Sequence, residues 1–324
     1  MPILRKLLLA AVAAHTLAAG AQTPHDTPAP TFDVASVRPS KPGSQQHTNV
    51  PLDSGNVYST ISPDDARTAA GGYLIATHQP LWRYISFAYK LSGTQELALR
   101  FSIFNGVPKS GAPFWVTGSF EASPEFFDIS ARASAETSID QMRLMMQALL
   151  ADRFHLVTHY ISADAPVFAL VLAKPGVIGP NLRLHSPSDA CAAPATDQPP
   201  APAPHPAAMG DLPPVCGAIA HIPSSAPGQH YGGRGVPVAL FATSVPTMTG
   251  LAAMPRPVVD QTGLSGLYDF TLTWMHDPSG DDAIADNTAN FREALKSQLG
   301  LELRSTHAPI DILVIDHVER PSEN

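Results

Sequence analysis

The sequence predicts an α+β fold of two related helix-strand-helix-strand-strand halves, with mainly antiparallel sheet, joined by a Pro/Ala-rich loop. Three observations lead there. Helical apolar stripes and period-two strands follow one another along the chain, and each needs cover from the other. The two halves end alike: a helix ending at Arg153 leads into Phe154-His-Leu156 and then Pro166-Val-Phe-Ala-Leu-Val-Leu172. A helix ending at Leu299 leads into Leu301-Glu-Leu303 and then Pro309-Ile-Asp-Ile-Leu-Val-Ile315. Between the halves, residues 176–230 are dominated by Ala, Pro, Ser and Asp, with Pro199-Pro-Ala-Pro-Ala-Pro204 at the centre.

The elements follow in order. Residues 1–21 read as a secretory signal: basic Arg5 and Lys6, an apolar run from Leu7 to Ala14, and small residues Ala19-Gly20-Ala21 before Gln22. The run is shorter than the ~20 apolar residues that cross a bilayer, so the chain is not expected to span a membrane after cleavage. Residues 22–31 read as a flexible leader, and the first α+β half covers 32–175. It opens with a strand from Phe32 to Val37, then an irregular stretch over 40–70. A strand from Tyr73 to Thr77 leads into a helix starting at Gln79-Pro80. Trp115–Ser119 and Phe127–Ala131 read as strands. A helix spans Gln141–Arg153, striped by Met142, Met145, Met146, Leu149 and Leu150. Phe154–Tyr160 and Val167–Leu172 read as two strands around a hairpin loop at Ser162–Ala165.

Residues 176–230 read as a disordered or polyproline-like insertion or linker. The second half covers 231–324. In it, Gly232-Gly-Arg-Gly235 opens a helix over about 237–244. Val258–Gly263 reads as strand and turn, and Leu267–Trp274 as an alternating strand. A polar loop, Asp277–Asp286, precedes a helix over Ala289–Leu299 that ends at Gly300. Leu301–Arg304 and Ile310–Val318 are the last two strands.

Composition narrows the function. Without residues 1–21 the chain holds 18 Lys and Arg against 28 Asp and Glu, and it has no basic run. Nucleic acid is therefore not an expected partner, because polyanion surfaces concentrate Lys and Arg. The two cysteines, Cys191 and Cys216, are a disulfide candidate in an oxidising compartment. Such a bridge would be worth roughly 3–4 kcal/mol by closing its loop in the unfolded chain.

Catalytic motifs are absent. Asp260-Gln-Thr-Gly263 has no second carboxylate to share a proton, and it reads as a turn. Ser265 lies in Gly-Leu-Ser-Gly, which is not the spacing of a nucleophile elbow. The 13 histidines show no metal-ligand spacing: His155 and His159 stand four apart on an expected strand, and His317 and Glu319 two apart. No metal or cofactor is expected. Gly232-Gly-Arg-Gly235 could bind an anion through Arg234 and the amides of a helix start, although glycines there serve turn geometry equally well.

Five segments resemble one family. They are Phe32-Asp-Val-Ala-Ser-Val-Arg-Pro39, Leu149-Leu-Ala-Asp-Arg-Phe154, Gly233-Arg-Gly235, Pro257-Val-Val-Asp-Gln-Thr-Gly-Leu-Ser-Gly-Leu-Tyr-Asp-Phe270 and Val314-Ile-Asp-His-Val-Glu-Arg-Pro-Ser-Glu-Asn324. Together they resemble an uncharacterised exported family of soil bacteria, abundant as paralogues in acidobacteria. Similar domains there can follow a BlaR-type antirepressor metallopeptidase, a part this sequence lacks. Residues 98–113 read as an insertion relative to that family. The resemblance brings no catalytic residues. It implies a secreted or periplasmic setting and a sensing or binding role. The leading reading is a non-enzymatic binding or interaction module for an envelope or extracellular ligand or protein, using the loops around Arg234 and Asp260. The alternative is a hydrolase of envelope or extracellular polymers with a dispersed active site.

Overall fold

A computed structural model describes residues 29–50, 52, 57–58, 72–101, 108–119, 123–135, 137, 139–189, 212–213, 216–222, 224–250, 254–275 and 283–321. The signal and most of the leader lie outside these residues. In chain order the strands and helices are β1 (Val34–Pro39), β2 (His47–Thr48), β3 (Val57–Tyr58), β4 (Tyr73–Pro80), α1 (Leu81–Ala88), α2 (Gly93–Arg100), α3 (Phe114–Thr117), β5 (Phe126–Arg132), α4 (Ile139–Phe154) and β6 (Val157–Leu172). They continue with β7 (Leu182–Leu184), β8 (Ala218–His221), β9 (Gln229–Pro237), α5 (Val238–Thr249), β10 (Val258–Asp260), β11 (Leu267–Trp274), α6 (Ala283–Ala294) and β12 (Leu301–His317). A π-helical turn over Leu295–Leu299 extends α6.

The fold is α+β. Three sheets carry it, in the orders β1-β5-β4-β2, β10-β6-β12 and β3-β8-β9-β11-β7. All pairings are antiparallel except β10 on β6 and β3 on β8.

Two large cores result. In the N-terminal core, α1 and α4 cover the first sheet through Tyr84, Ile85, Met142, Met146 and Leu150, packed on Leu74, Phe127 and Ile129. The methionine stripe is thus core, with Met142 and Met146 fully buried. Tyr84 carries a hydroxyl into this core. Its hydroxyl donates toward the carbonyls of Phe127 (3.0 Å) and Ala76 (3.3 Å), and burial pushes its pKa up. In the C-terminal core, α5 and α6 pack on the sheet around β11 through Phe241, Phe291, Phe270, Leu272 and Trp274.

The two cores share strands. β6 starts beside Leu156 in the first core and ends with Leu170 in the second. β12 starts with Leu301 and Leu303 in the second core and ends with Leu313 and Ile315 in the first. The two strands pair along their whole length, from Leu301↔Leu172 to His317↔Val157.

This corrects the expected hairpin at Ser162–Ala165. The segment continues a 16-residue strand, opposite Asp311 to Ala308. Its period-two pattern is unbroken and it contains no glycine to reverse the chain. Leu301–His317 is likewise one strand, not two.

Four further expectations differ. Trp115 lies in the short helix α3 rather than a strand: Pro113 precedes that helix and Gly118, at φ 75°, ends it. The helix α2 was not foreseen. It opens on a capping box, with the Ser92 side chain accepting from the Gln95 amide and the Gln95 side chain accepting from the Ser92 amide. The α6 helix begins at Ala283, inside the stretch read as polar loop. Finally, the ends of the 176–230 segment are ordered: β7, β8 and the start of β9 complete the third sheet.

Candidate functional site

The most concentrated polar chemistry lies where β7, β9 and β11 meet. Asp269 stands on β11 between Tyr268 and Phe270, and it is 1% exposed. A carboxylate so buried must be paired, because an isolated buried charge is prohibitively costly. Its partners come from both neighbouring strands. On β7, Arg183 is its cross-strand partner, and the guanidinium lies 2.9 Å from Oδ2. His185, just past β7, places Nδ1 2.7 Å from Oδ1. On the other side, the Gly235 amide donates to the same Oδ1 at 2.8 Å. Asp189 closes the group, 3.1 Å from Arg183.

The Gly-rich segment makes room for this. It is strand, not the start of a helix; α5 begins three residues later, after Pro237. The expectation that this segment opens the helix is thus corrected: it pairs in the sheet, and Pro237 separates it from α5. The register pairs Tyr268 with Val236 and Phe270 with Gly233, so Arg234 and Gly235 together face Asp269. Such a β-bulge re-aims backbone groups, here turning an amide onto a carboxylate. Gly235 sits at φ +60°, and a Cβ there would lie 3.2 Å from the Cys216 sulfur. A Cβ on Gly233 would lie 2.4 Å from the Phe270 ring. Close approach thus favours glycine at 233, and the left-handed φ favours it at 235.

Cys216 borders the cluster. Its Sγ is 3.8 Å from His185 Nε2, within hydrogen-bond range for sulfur. Asp269, His185 and Cys216 thus form a continuous polar chain. His185, Asp189 and Asp269 could also hold a metal ion, since one ligand atom of each lies within 4.8 Å of the others. A cation there would have to displace Arg183 from both carboxylates. Beside the cluster opens a pocket of about 210 Å³, lined by Arg183 and Asp269 with Asn181, Thr271, Phe270 and Leu212. Small-molecule pockets usually run ~300–1,000 Å³, so this one suits a small or protruding group.

The expected site residues are divided by the structure. Arg234 stands on β9 at the bulge, with its carbonyl accepting from the Gly217 amide at 2.8 Å. Asp260 lies in a different sheet, at the end of β10. Its Oδ1 accepts from the Thr262 amide (2.9 Å) and hydroxyl (2.8 Å), which makes it the anchor of the turn leading to Gly263. Cys191 lies outside the described residues.

The other histidines singled out in the sequence fall elsewhere. His155 precedes β6 at φ 49° and pairs with Glu319 at 3.5 Å. His317 bonds the same carboxylate at 2.8 Å, and His159 bonds Asp316 at 2.7 Å. These pairs are exposed and tie the C-terminal segment to the strand start; among the described residues they form no three-ligand cluster.

The residues that sequence reasoning missed are Arg183, His185, Asp189 and Asp269. Three of them sit in the stretch read as insertion. Asp269 carried one signal: a charged residue between two aromatics of an apolar strand.

The family model for a protein of unknown function, DUF3738, matches residues 83–318. The chain belongs to that family. Neither a curated protein nor a solved structure matches it.

Proposed function

We propose that the chain is an exported, non-enzymatic binding module whose ligand enters the pocket beside Arg183 and Asp269. The observation that carries this is the convergence of a buried carboxylate, Asp269, and its guanidinium partner, Arg183, on one pocket, with His185 holding the carboxylate from behind. A site of that kind presents fixed polar groups without an activated nucleophile. Export is supported by the basic start, apolar run and small-residue pattern of residues 1–21, and by the family resemblance to soil-bacterial exported proteins. No helix among the described residues is long and apolar enough to cross a membrane. The setting proposed is the periplasm or the cell exterior, and there Cys191 and Cys216 form a disulfide.

The test is thermal stabilisation of the mature chain by fractionated envelope and extracellular polymers. The expected result is a fraction that raises the melting temperature of the wild type and leaves Arg183→Ala unmoved. Arg183 is 62% exposed on its side chain, and Asp269 keeps His185 and the Gly235 amide as partners, so its removal should leave the fold standing. Equal shifts in both proteins would place binding elsewhere. The second reading, a hydrolase, is favoured by the Asp269–His185 pair alone. Turnover of any such polymer that vanishes in Asp269→Asn would establish it in place of binding.

A further inference from the structure

Two arginines meet on one aromatic ring where β6, β10 and α6 come together. Phe168 stands on β6 at the border of the C-terminal core. Arg256, just before β10, places its guanidinium carbon 5.3 Å from the centre of that ring. Arg292, in the last turn of α6, places its own 4.9 Å away. All three residues are anchored. The Phe168 amide donates to the Pro257 carbonyl at 2.8 Å, which ties the Arg256 loop to β6. Arg292 Nη1 donates to the Leu303 carbonyl at 3.2 Å, which ties α6 to β12. Ser305, the cross-strand partner of Phe168, is exposed and lies on the same face.

The charge at this ring is not balanced. Elsewhere arginines are matched to carboxylates: Arg38 to Asp128, Arg143 to Asp140, Arg183 to Asp269 and Arg320 to Glu125. Among the described residues, neither Arg256 nor Arg292 has an ion pair, although acidic residues outnumber basic ones in the chain. The ring face attracts each cation, but two like charges against one ring also repel each other. Arg292 is half-buried as well, and desolvation lowers its pKa. Both guanidiniums keep donors to spare: Arg292 uses Nη1 on Leu303, and a guanidinium has five N–H donors.

We infer that Arg256 and Arg292 form a binding site for a small phosphomonoester. Two cations held together match a group that carries roughly −1.5 to −2 at neutral pH, whereas a carboxylate would leave one cation unmatched. Guanidinium forks suit phosphate oxygens, which they can bind two at a time. Packing against Phe168 holds both side chains before the ligand arrives, and this lowers the ordering cost of binding. The ligand is a small molecule rather than a polyanion or an anionic membrane. Without residues 1–21 the chain has 18 Lys and Arg against 28 Asp and Glu, and that balance repels extended negative charge. Phe168 and Asp269 lie in different sheets, so this site is separate from the pocket beside Arg183.

The probe is glycerol 3-phosphate, followed by phosphorus NMR as the mature chain is titrated in at about pH 7.5, where a phosphomonoester is mostly dianionic. Sodium chloride holds the ionic strength constant, so screening is the same at every point. The expected result is a saturable shift in the wild type. Arg256→Gln and Arg292→Gln should each weaken the affinity about ten-fold or more, as the loss of a hydrogen-bonded charge pair requires. Acetate at the same ionic strength should not displace the probe. A wild type that never saturates would mean that the two guanidiniums only roof the core edge, and it overturns the inference. So does an affinity that the variants leave unchanged, and displacement by acetate overturns the assignment to a dianion. If Arg292→Gln fails to fold for want of its bond to Leu303, Arg256→Gln decides alone. Arg183→Ala should bind the probe as the wild type does. Loss of binding in that variant would move the phosphate to the other pocket and sink the inference.

Discussion

Single side chains decide which buried polar groups this chain tolerates. Asp128 shows how. Burial pushes its carboxyl up, but the Ser40 hydroxyl (2.6 Å), the His78 amide (2.9 Å) and Arg38 outweigh that and hold its pKa below the ordinary value. A depressed carboxylate stabilises the fold above its unfolded pKa, and that contribution is lost as pH falls through the lower folded value. Asp128→Asn should therefore cost about 1.5–3 kcal/mol at pH 7, the range for hydrogen bonds to a charged group. The difference from wild type should shrink as both proteins are denatured at progressively more acid pH. A gap that persists unchanged at pH 2 would mean that the carboxylate charge is not what matters. Asp269 obeys the same logic more severely, since its partners arrive from two separate segments of the chain.

At the scale of elements, local signals and pairing compete. The capping box at Ser92 and the αL glycine Gly300 (φ 70°) mark helix ends by local chemistry. The β9 bulge is different: Gly232-Gly-Arg-Gly235 looks like a helix entry until β11 and β8 flank it. Gly235→Ala puts a Cβ at φ +60° and 3.2 Å from the Cys216 sulfur. The left-handed conformation alone costs about 1–2 kcal/mol for a residue with a Cβ. Chemical denaturation should show a loss of at least that size. A neutral result would mean that the bulge relaxes, and the Gly235 amide would then leave Asp269. The long strands β6 and β12 make a similar point. Their prolines and polar residues resemble turn signals, yet each faces a partner residue across the ribbon.

For the whole molecule, the exchange of strands between cores sets cooperativity. The N-terminal core needs Leu313 and Ile315 from β12, and the C-terminal core needs Leu170 from β6. Residues 32–175 expressed alone should therefore fail to fold, and calorimetry of the whole chain should show one transition. Two separated transitions, or a stable fragment with sharp amide resonances, would show that the halves are independent.

Seen at that scale, the sequence alone determined the fold class, most helices and strands, the methionine core stripe and the family. Those properties follow from periodicity and end signals, which are local. Only the tertiary structure decided the site. Arg183, His185 and Asp269 become neighbours because β7, drawn from the stretch that reads as insertion, pairs with β11 across 84 positions between His185 and Asp269. It also decided that four expected strands are two. Pairing across the molecule satisfies backbone groups that, in isolation, look ready to turn.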